Sequence, residues 1–226
     1  MKVAVFSDVH GNAIALHAVL QDIEAQRPDR IICGGDLAFG GPEPEAAVAR
    51  ISALGIPCIR GNTDEWLTPD ASRTEAIVAW TRAALSEESR HYLGGLPFDY
   101  RLGDLLVVHA TPWSVFDLVP KDAGQAMLRR VLAEARAAAV VYGHIHIAWI
   151  GTVAGAGLVV NTGSVGFPFD GDPRSSYALL QQGASGWTVE IRRVPYDIER
   201  ASAAFPPDHP DRAGWAARMR TGRQRP

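Results

Sequence analysis

The stretch Lys2-Val3-Ala4-Val5-Phe6-Ser7-Asp8-Val9-His10-Gly11-Asn12 decides how the rest of this chain is read. Residues 2–7 alternate around Val3, Val5 and Phe6, the pattern of a strand with one face against a core. A polar loop follows, and Asn12 is placed to cap a helix whose apolar residues Ile14, Leu16, Val19, Leu20 and Ile23 recur at helical spacing. The unit is strand, loop, helix.

Working outward, the unit repeats. Arg30-Ile31-Ile32-Cys33 reads as a second buried strand, residues 45–54 as a helix ended by Gly55 and Pro57, and Pro57-Cys58-Ile59-Arg60 as a third strand. Strands alternating with helices imply parallel pairing, and ligands in such sheets gather at the carboxyl ends of the strands. The polar clusters fall there: Asp8 and His10 after the first strand, Asp36 after the second, Asn62 and Asp64 after the third.

Further on, residues 73–93 are expected to form one helix, residues 98–101 and 105–108 a hairpin, and residues 123–138 a helix leading into a strand at 139–142. His109 ends the second hairpin strand, and Gly143-His144-Ile145-His146 follows the strand at 139–142. Residues 147–153, 157–161, 176–182 and 187–194 read as an antiparallel meander. A short helix is expected at 196–204, and the Arg-rich end as a solvated tail. The organisation expected is one catalytic domain over residues 1–195, with 196–226 a helical and basic tail packed on or trailing the same domain.

The 226 residues suit a single core, and a formal net charge of −3 gives no broad electrostatic footprint for a nucleic-acid polymer. No apolar run is long enough for a membrane span or a signal peptide. Cys33 and Cys58 lie inside apolar runs without metal-ligand spacing, so buried reduced thiols in a cytoplasmic protein are expected. The tryptophans are read mainly as packing residues, with a base-stacking platform among them as the alternative. A homo-oligomer is compatible with all of this.

Taken singly, these polar residues prove little; their order is specific. Two divalent metals about 3.5–4 Å apart require roughly four ligands each, with one carboxylate shared. Imidazole, carboxylate and amide donors suit Mn, Fe, Zn or Ni, with Mn expected to support activity, and no thiolate of a structural zinc site is present. Through Asp8-Val9-His10, Gly35-Asp36, Gly61-Asn62, His109 and Gly143-His144-Ile145-His146 the chain resembles the calcineurin-like metallophosphoesterase superfamily. The resemblance implies a four-layer α/β/β/α sandwich, two mixed sheets flanked by helices. It also implies that Asp8, His10 and His146 bind one metal, that Asn62, His109 and His144 bind the other, and that Asp36 bridges them. The expected chemistry is phosphoester hydrolysis by a metal-bridging hydroxide.

One motif departs from the pattern. Many relatives have Gly-Asn-His-Asp or Gly-Asn-His-Glu, whereas this chain has Gly61-Asn62-Thr63-Asp64, and threonine does not replace an imidazole as proton donor near neutral pH. Catalysis is therefore assigned to the metals with Asp36, Asn62 and Asp64, the last read as orienting His10 or a water. Arg60 and Asn12 are candidate phosphate contacts, against an ion pair and a helix cap as the plainer readings. The segment 161–173 is read either as substrate rim or as a turn between strands. Small phosphodiesters or nucleotides are the expected substrates. The alternatives are a phosphomonoesterase resembling protein phosphatases, a dinucleoside-polyphosphate hydrolase, and a non-catalytic scaffold of the same fold. A redox or metal-sensing dimetal protein has no supporting feature.

Overall fold

The computed structural model describes residues 1–68 and 70–224. In chain order the elements are β1 (Lys2–Phe6), α1 (Ala13–Gln26), β2 (Arg30–Cys33), α2 (Pro44–Leu54), α3 (Asn62–Leu67), α4 (Ala76–Ala83), α5 (Glu87–Gly94), β3 (Asp99–Leu102) and β4 (Leu105–Val108). There follow α6 (Gln125–Ala135), β5 (Ala139–Tyr142), β6 (Trp149–Val153), β7 (Gly157–Asn161), β8 (Ser175–Gly183), β9 (Gly186–Val194), α7 (Ile198–Ala203) and α8 (Arg212–Thr221).

Two mixed sheets result, in the orders β2-β1-β8-β9 and β3-β4-β5-β7-β6. The parallel pairs are β1 with β2, β4 with β5 and β5 with β7. Side-chain alternation builds the layers. Val3 and Val5 of β1 meet Val107, Val141 and Val160 of the other sheet, while Ala4 and Phe6 turn outward onto α1 and α2. On the far side, Val108, Val140 and Tyr142 pack against α6. This is the expected α/β/β/α sandwich.

Four local expectations are corrected. Residues 57–60 form no strand: Pro57 lacks an N–H, and pairing with β2 is limited to one bridge between Cys58 and Cys33 before Arg60 N–H turns to the Pro97 carbonyl. The helix expected over 73–93 is two helices, because Ser86 starts a new one by accepting from the Ser89 amide (3.0 Å) and is itself held by Glu45. The meander is split, since β6 and β7 join one sheet and β8 and β9 the other, with residues 162–174 crossing between them. The basic end is not a solvated tail. Residues 212–221 form α8, whose Ala216 and Met219 are buried with Phe167, Ala201 and Phe205.

No helix among the described residues is long and apolar enough to cross a membrane. Cys33 and Cys58 are free and buried, as expected.

Candidate metal centre

The candidate ligands all lie in loops at the carboxyl ends of β1, β2, β4 and β5, or at the start of α3. The loops share an unusual backbone. Among the described non-glycine residues, positive φ occurs at Asp8 (57°), His10 (47°), Asp36 (57°), His144 (67°) and His146 (57°), and otherwise at Arg27 and Arg136, which end helices. Left-handed backbone costs a side-chain-bearing residue about 1–2 kcal/mol, so its concentration here marks a geometry maintained by its surroundings.

Those surroundings are identifiable. The Asp8 and His10 amides donate to the Gly35 and Asp36 carbonyls (2.9 Å each), tying the first loop to the second. The His144 amide donates to both Asp8 carboxylate oxygens (3.1 Å each). The Asp8 carbonyl accepts from the Gly166 amide (2.9 Å) and the Ser164 hydroxyl (2.8 Å). Gly61 is required by proximity, because a Cβ there would stand 2.0 Å from Asp36 Oδ1.

Asp8, His10, Asp36 and His146 are buried and offer ligand atoms that all lie within 4.8 Å of one another. Beside them, Asn62 Oδ1 is 2.9 Å from both His109 Nε2 and His144 Nδ1. Asp36 spans the two groups: Oδ2 is 3.5 Å from His10 Nε2, and Oδ1 is 3.5 Å from His109 Nε2.

Proton positions follow from the carbonyls. His10 Nδ1 meets the Phe39 carbonyl (2.9 Å), His109 Nδ1 that of Gly34 (2.9 Å) and His146 Nδ1 that of Phe167 (2.7 Å). A carbonyl only accepts, so each Nδ1 donates and each Nε2 is turned inward as the metal-facing nitrogen. His10 Nε2 and His146 Nε2 then face each other at 3.1 Å, two inward-facing nitrogens that a shared cation would reconcile.

The charges around the imidazoles act on them unequally. Burial lowers His10, and the neighbouring His146 adds to this, pushing it down to about 4. Burial also opposes the charge on His146 and His109, but Asp8 and Asp36 outweigh it and raise both. Burial would raise Asp8; the surrounding imidazoles hold it well below the usual carboxylate range. The site is thus built for positive charge, and its donor set fits divalent cations.

The orienting role read for Asp64 is corrected here, and for Arg60 and Asn12 the plainer of the two readings is the one found. Asp64 contacts neither His10 nor the cavity: Oδ2 accepts from the Asp36 and Gly61 amides (2.8 Å each) and Oδ1 from the Leu37 amide (2.9 Å). It fastens the Asp36 loop to α3, and burial together with Asp36 raises its carboxyl to about 6 against those donors. Arg60 pairs with Glu65 (3.1 Å) and borders a separate recess with His91 and Tyr92. Asn12 is fully buried; its Oδ1 caps α1 through the Ala15 amide (3.0 Å) and its Nδ2 reaches the Gly166 carbonyl (3.3 Å).

The segment 161–173 has both roles considered for it. Ser164 and Gly166 brace the Asp8 loop from below, while Phe167 and Phe169 rise to the rim, Phe169 stacked on His146 at 4.5 Å. Above the ligands opens a cavity of about 440 Å³. The sequence reading missed Phe39 and Arg218 in its walls, and offered Trp66 and Trp215 only within the alternative of a base-stacking platform. The signal available was Trp215-x-x-Arg218, one helical turn apart in a segment taken for a tail.

Comparison with known proteins agrees with this geometry. The model of the calcineurin-like phosphoesterase superfamily domain matches residues 1–184. A protein of Methanocaldococcus jannaschii is 28% identical over 228 residues, covering 88% of this chain and 89% of that one. The crystal structure of a metallophosphoesterase from Sphaerobacter thermophilus superposes with a TM-score of 0.82 at 27% identity, covering 98% of this chain and 99% of that one. A hypothetical protein from Pyrococcus horikoshii shares the fold, with a TM-score of 0.78 at 22% identity over 89% of this chain and 91% of that one. With its strand-end imidazoles and carboxylates converging as that chemistry requires, the chain belongs to the calcineurin-like phosphoesterase superfamily and is a metal-dependent phosphoesterase.

Proposed function

We propose that the protein hydrolyses small phosphodiesters or nucleotide esters with two divalent cations, manganese supporting its activity. The cavity carries this reading. Its floor is the imidazole and carboxylate cluster, its walls are aromatic, and about 440 Å³ suits a small organic ester better than a loop of a phosphoprotein.

In this reading Asp8, His10 and His146 hold one cation, Asn62, His109 and His144 the other, and Asp36 both. When bound, the cations supply Lewis acidity, drawing charge from the phosphoryl oxygens and acidifying water. The protein's part is placement: the Thr63 amide donates to Asp36 Oδ1 (2.9 Å), fixing the shared carboxylate. The Thr63 hydroxyl borders the cavity and is buried without a partner among the described residues. It is free to donate a hydrogen bond to an ester oxygen, but an alcohol keeps its proton near neutral pH. The leaving oxygen therefore departs without a proton from this position.

Residues 1–195 then form the catalytic domain, with 196–226 its appendage, of which 196–224 pack on it, and the buried free thiols favour the cytoplasm. With Mn²⁺, aryl diesters are expected to react faster than alkyl diesters by about 10²-fold or more, the factor a missing general acid would leave. Equal rates with chemistry rate-limiting would overturn the assignment.

A further inference from the structure

The superfamily model stops at residue 184, yet part of the cavity wall comes from beyond it. Helix α8 is anchored at both ends. Near its start, the Trp215 ring lies on Gly40, where a Cβ would stand 2.1 Å from the ring and φ is +76°. His209 Nε2 donates to the Gly40 carbonyl (3.0 Å), and the Phe39 and Phe167 rings meet Trp215 edge-on at 5.8 and 4.9 Å. Past its end, the Gly222 carbonyl accepts from the Gly171 amide (2.9 Å). The helix therefore joins two loops that carry carbonyl partners of the ligand histidines, those of Phe39 and Phe167.

One turn along from Trp215 stands Arg218, its guanidinium 5.2 Å from the Trp215 ring centre. Its Nε donates to the Gln224 carbonyl (3.2 Å), and among the described residues its carboxylate partner is Asp211, 3.6 Å from Nη2, too far for a firm hydrogen bond. Asp211 is occupied as the cap of α8, accepting from the Gly214 amide (3.0 Å). The guanidinium fork so retains donors beside the cavity, at one end of an aromatic wall made by Trp215, Phe39, Trp66 and Phe169.

We propose that α8 is the specificity element, with Arg218 holding a second anionic group of the substrate while the aromatic wall stacks a planar ring. The preferred substrate class is then a ring-bearing phosphoester with a further phosphate, a nucleotide of more than one phosphate, rather than a simple aryl ester. Aromatic faces stack bases without demanding hydrogen bonds, and a guanidinium suits phosphate oxygens in pairs. The inference rests on the cavity being the phosphoester site.

Tryptophan fluorescence of the metal-free protein, titrated separately with adenosine, pyrophosphate and ADP, separates the parts. ADP is expected to bind about tenfold or more tightly than either fragment. Arg218→Gln is expected to reduce ADP affinity about tenfold, and Arg218→Lys to recover part of that loss. Pyrophosphate binding as tightly as ADP would overturn the ring, and ADP affinity unchanged in Arg218→Gln would overturn the anion contact. Since Arg218 is partly exposed, a melting curve confirms that the variant is folded. With Mn²⁺, the preference for a nucleoside diphosphate ester over bis(4-nitrophenyl) phosphate should fall about tenfold in Arg218→Gln. Wild-type protein that turns over neither ester would overturn the phosphodiesterase reading, while the metal-free titrations still decide the role of Arg218.

Discussion

The floor and the outer wall of the cavity are held by different means. Asp8, His10, Asp36, His144 and His146 of the floor sit on left-handed backbone, and the Nδ1 nitrogens of His10, His109 and His146 are tied to carbonyls of neighbouring loops. The outer part of the wall is α8, seated by the Trp215 ring on Gly40, by Ala216 and Met219 packed on Phe167, Ala201 and Phe205, and by one backbone hydrogen bond past its end. The floor is over-determined and can hold charged ligands to a fixed geometry. The wall rests on packing and can change shape or identity while the floor persists. Chemistry belongs to the first and selection to the second.

Three substitutions test that division. The largest effect is expected at Asp36→Asn, where one oxygen facing each imidazole group is compromised; metal content should fall and turnover drop by about 10³-fold. Metal analysis beside kinetics checks it, and full metal content with full activity would break the comparison. Next comes Asp64→Asn, which turns an amide N–H₂ toward at least one of three main-chain donors. Metal affinity should weaken by about 10- to 100-fold although Asp64 is no ligand, as measured by competition with a chelator. The smallest is Gly40→Ala, whose Cβ would collide with Trp215 on a left-handed backbone. Substrate KM should rise several-fold with metal content nearly unchanged; lost metal would mean that floor and wall are one unit.

The floor was legible in the sequence because its residues come as short motifs at strand ends, and Asp8-x-His10 and His144-x-His146 are recognisable without knowing how the sheets pair. Asp64 was misassigned because a carboxylate beside Asn62 looks like a reactive group, and only the fold brings the Asp36 and Leu37 amides to it. For Arg60 the sequence left phosphate contact and ion pair open, and the fold selects the pair with Glu65 because its side chain leaves on the side of α5. The wall was illegible for another reason. Phe39, Trp66, Phe169 and Trp215 are ordinary packing residues by composition, and Trp215 reaches the site through a return of the chain that no local pattern encodes. The split of the expected meander between two sheets has the same origin, since alternation sets which residues share a face but not which strand lies next door.

The placement of α8 after β9 has an evolutionary consequence. Neither sheet takes a strand from residues 195–224, so substitutions there leave every strand register intact. A lineage could exchange this segment and acquire a new substrate while inheriting its metal chemistry unaltered. Divergence of ligand preference among relatives with the same floor would then be recorded in their last helix, which is where a survey of such preferences should look first.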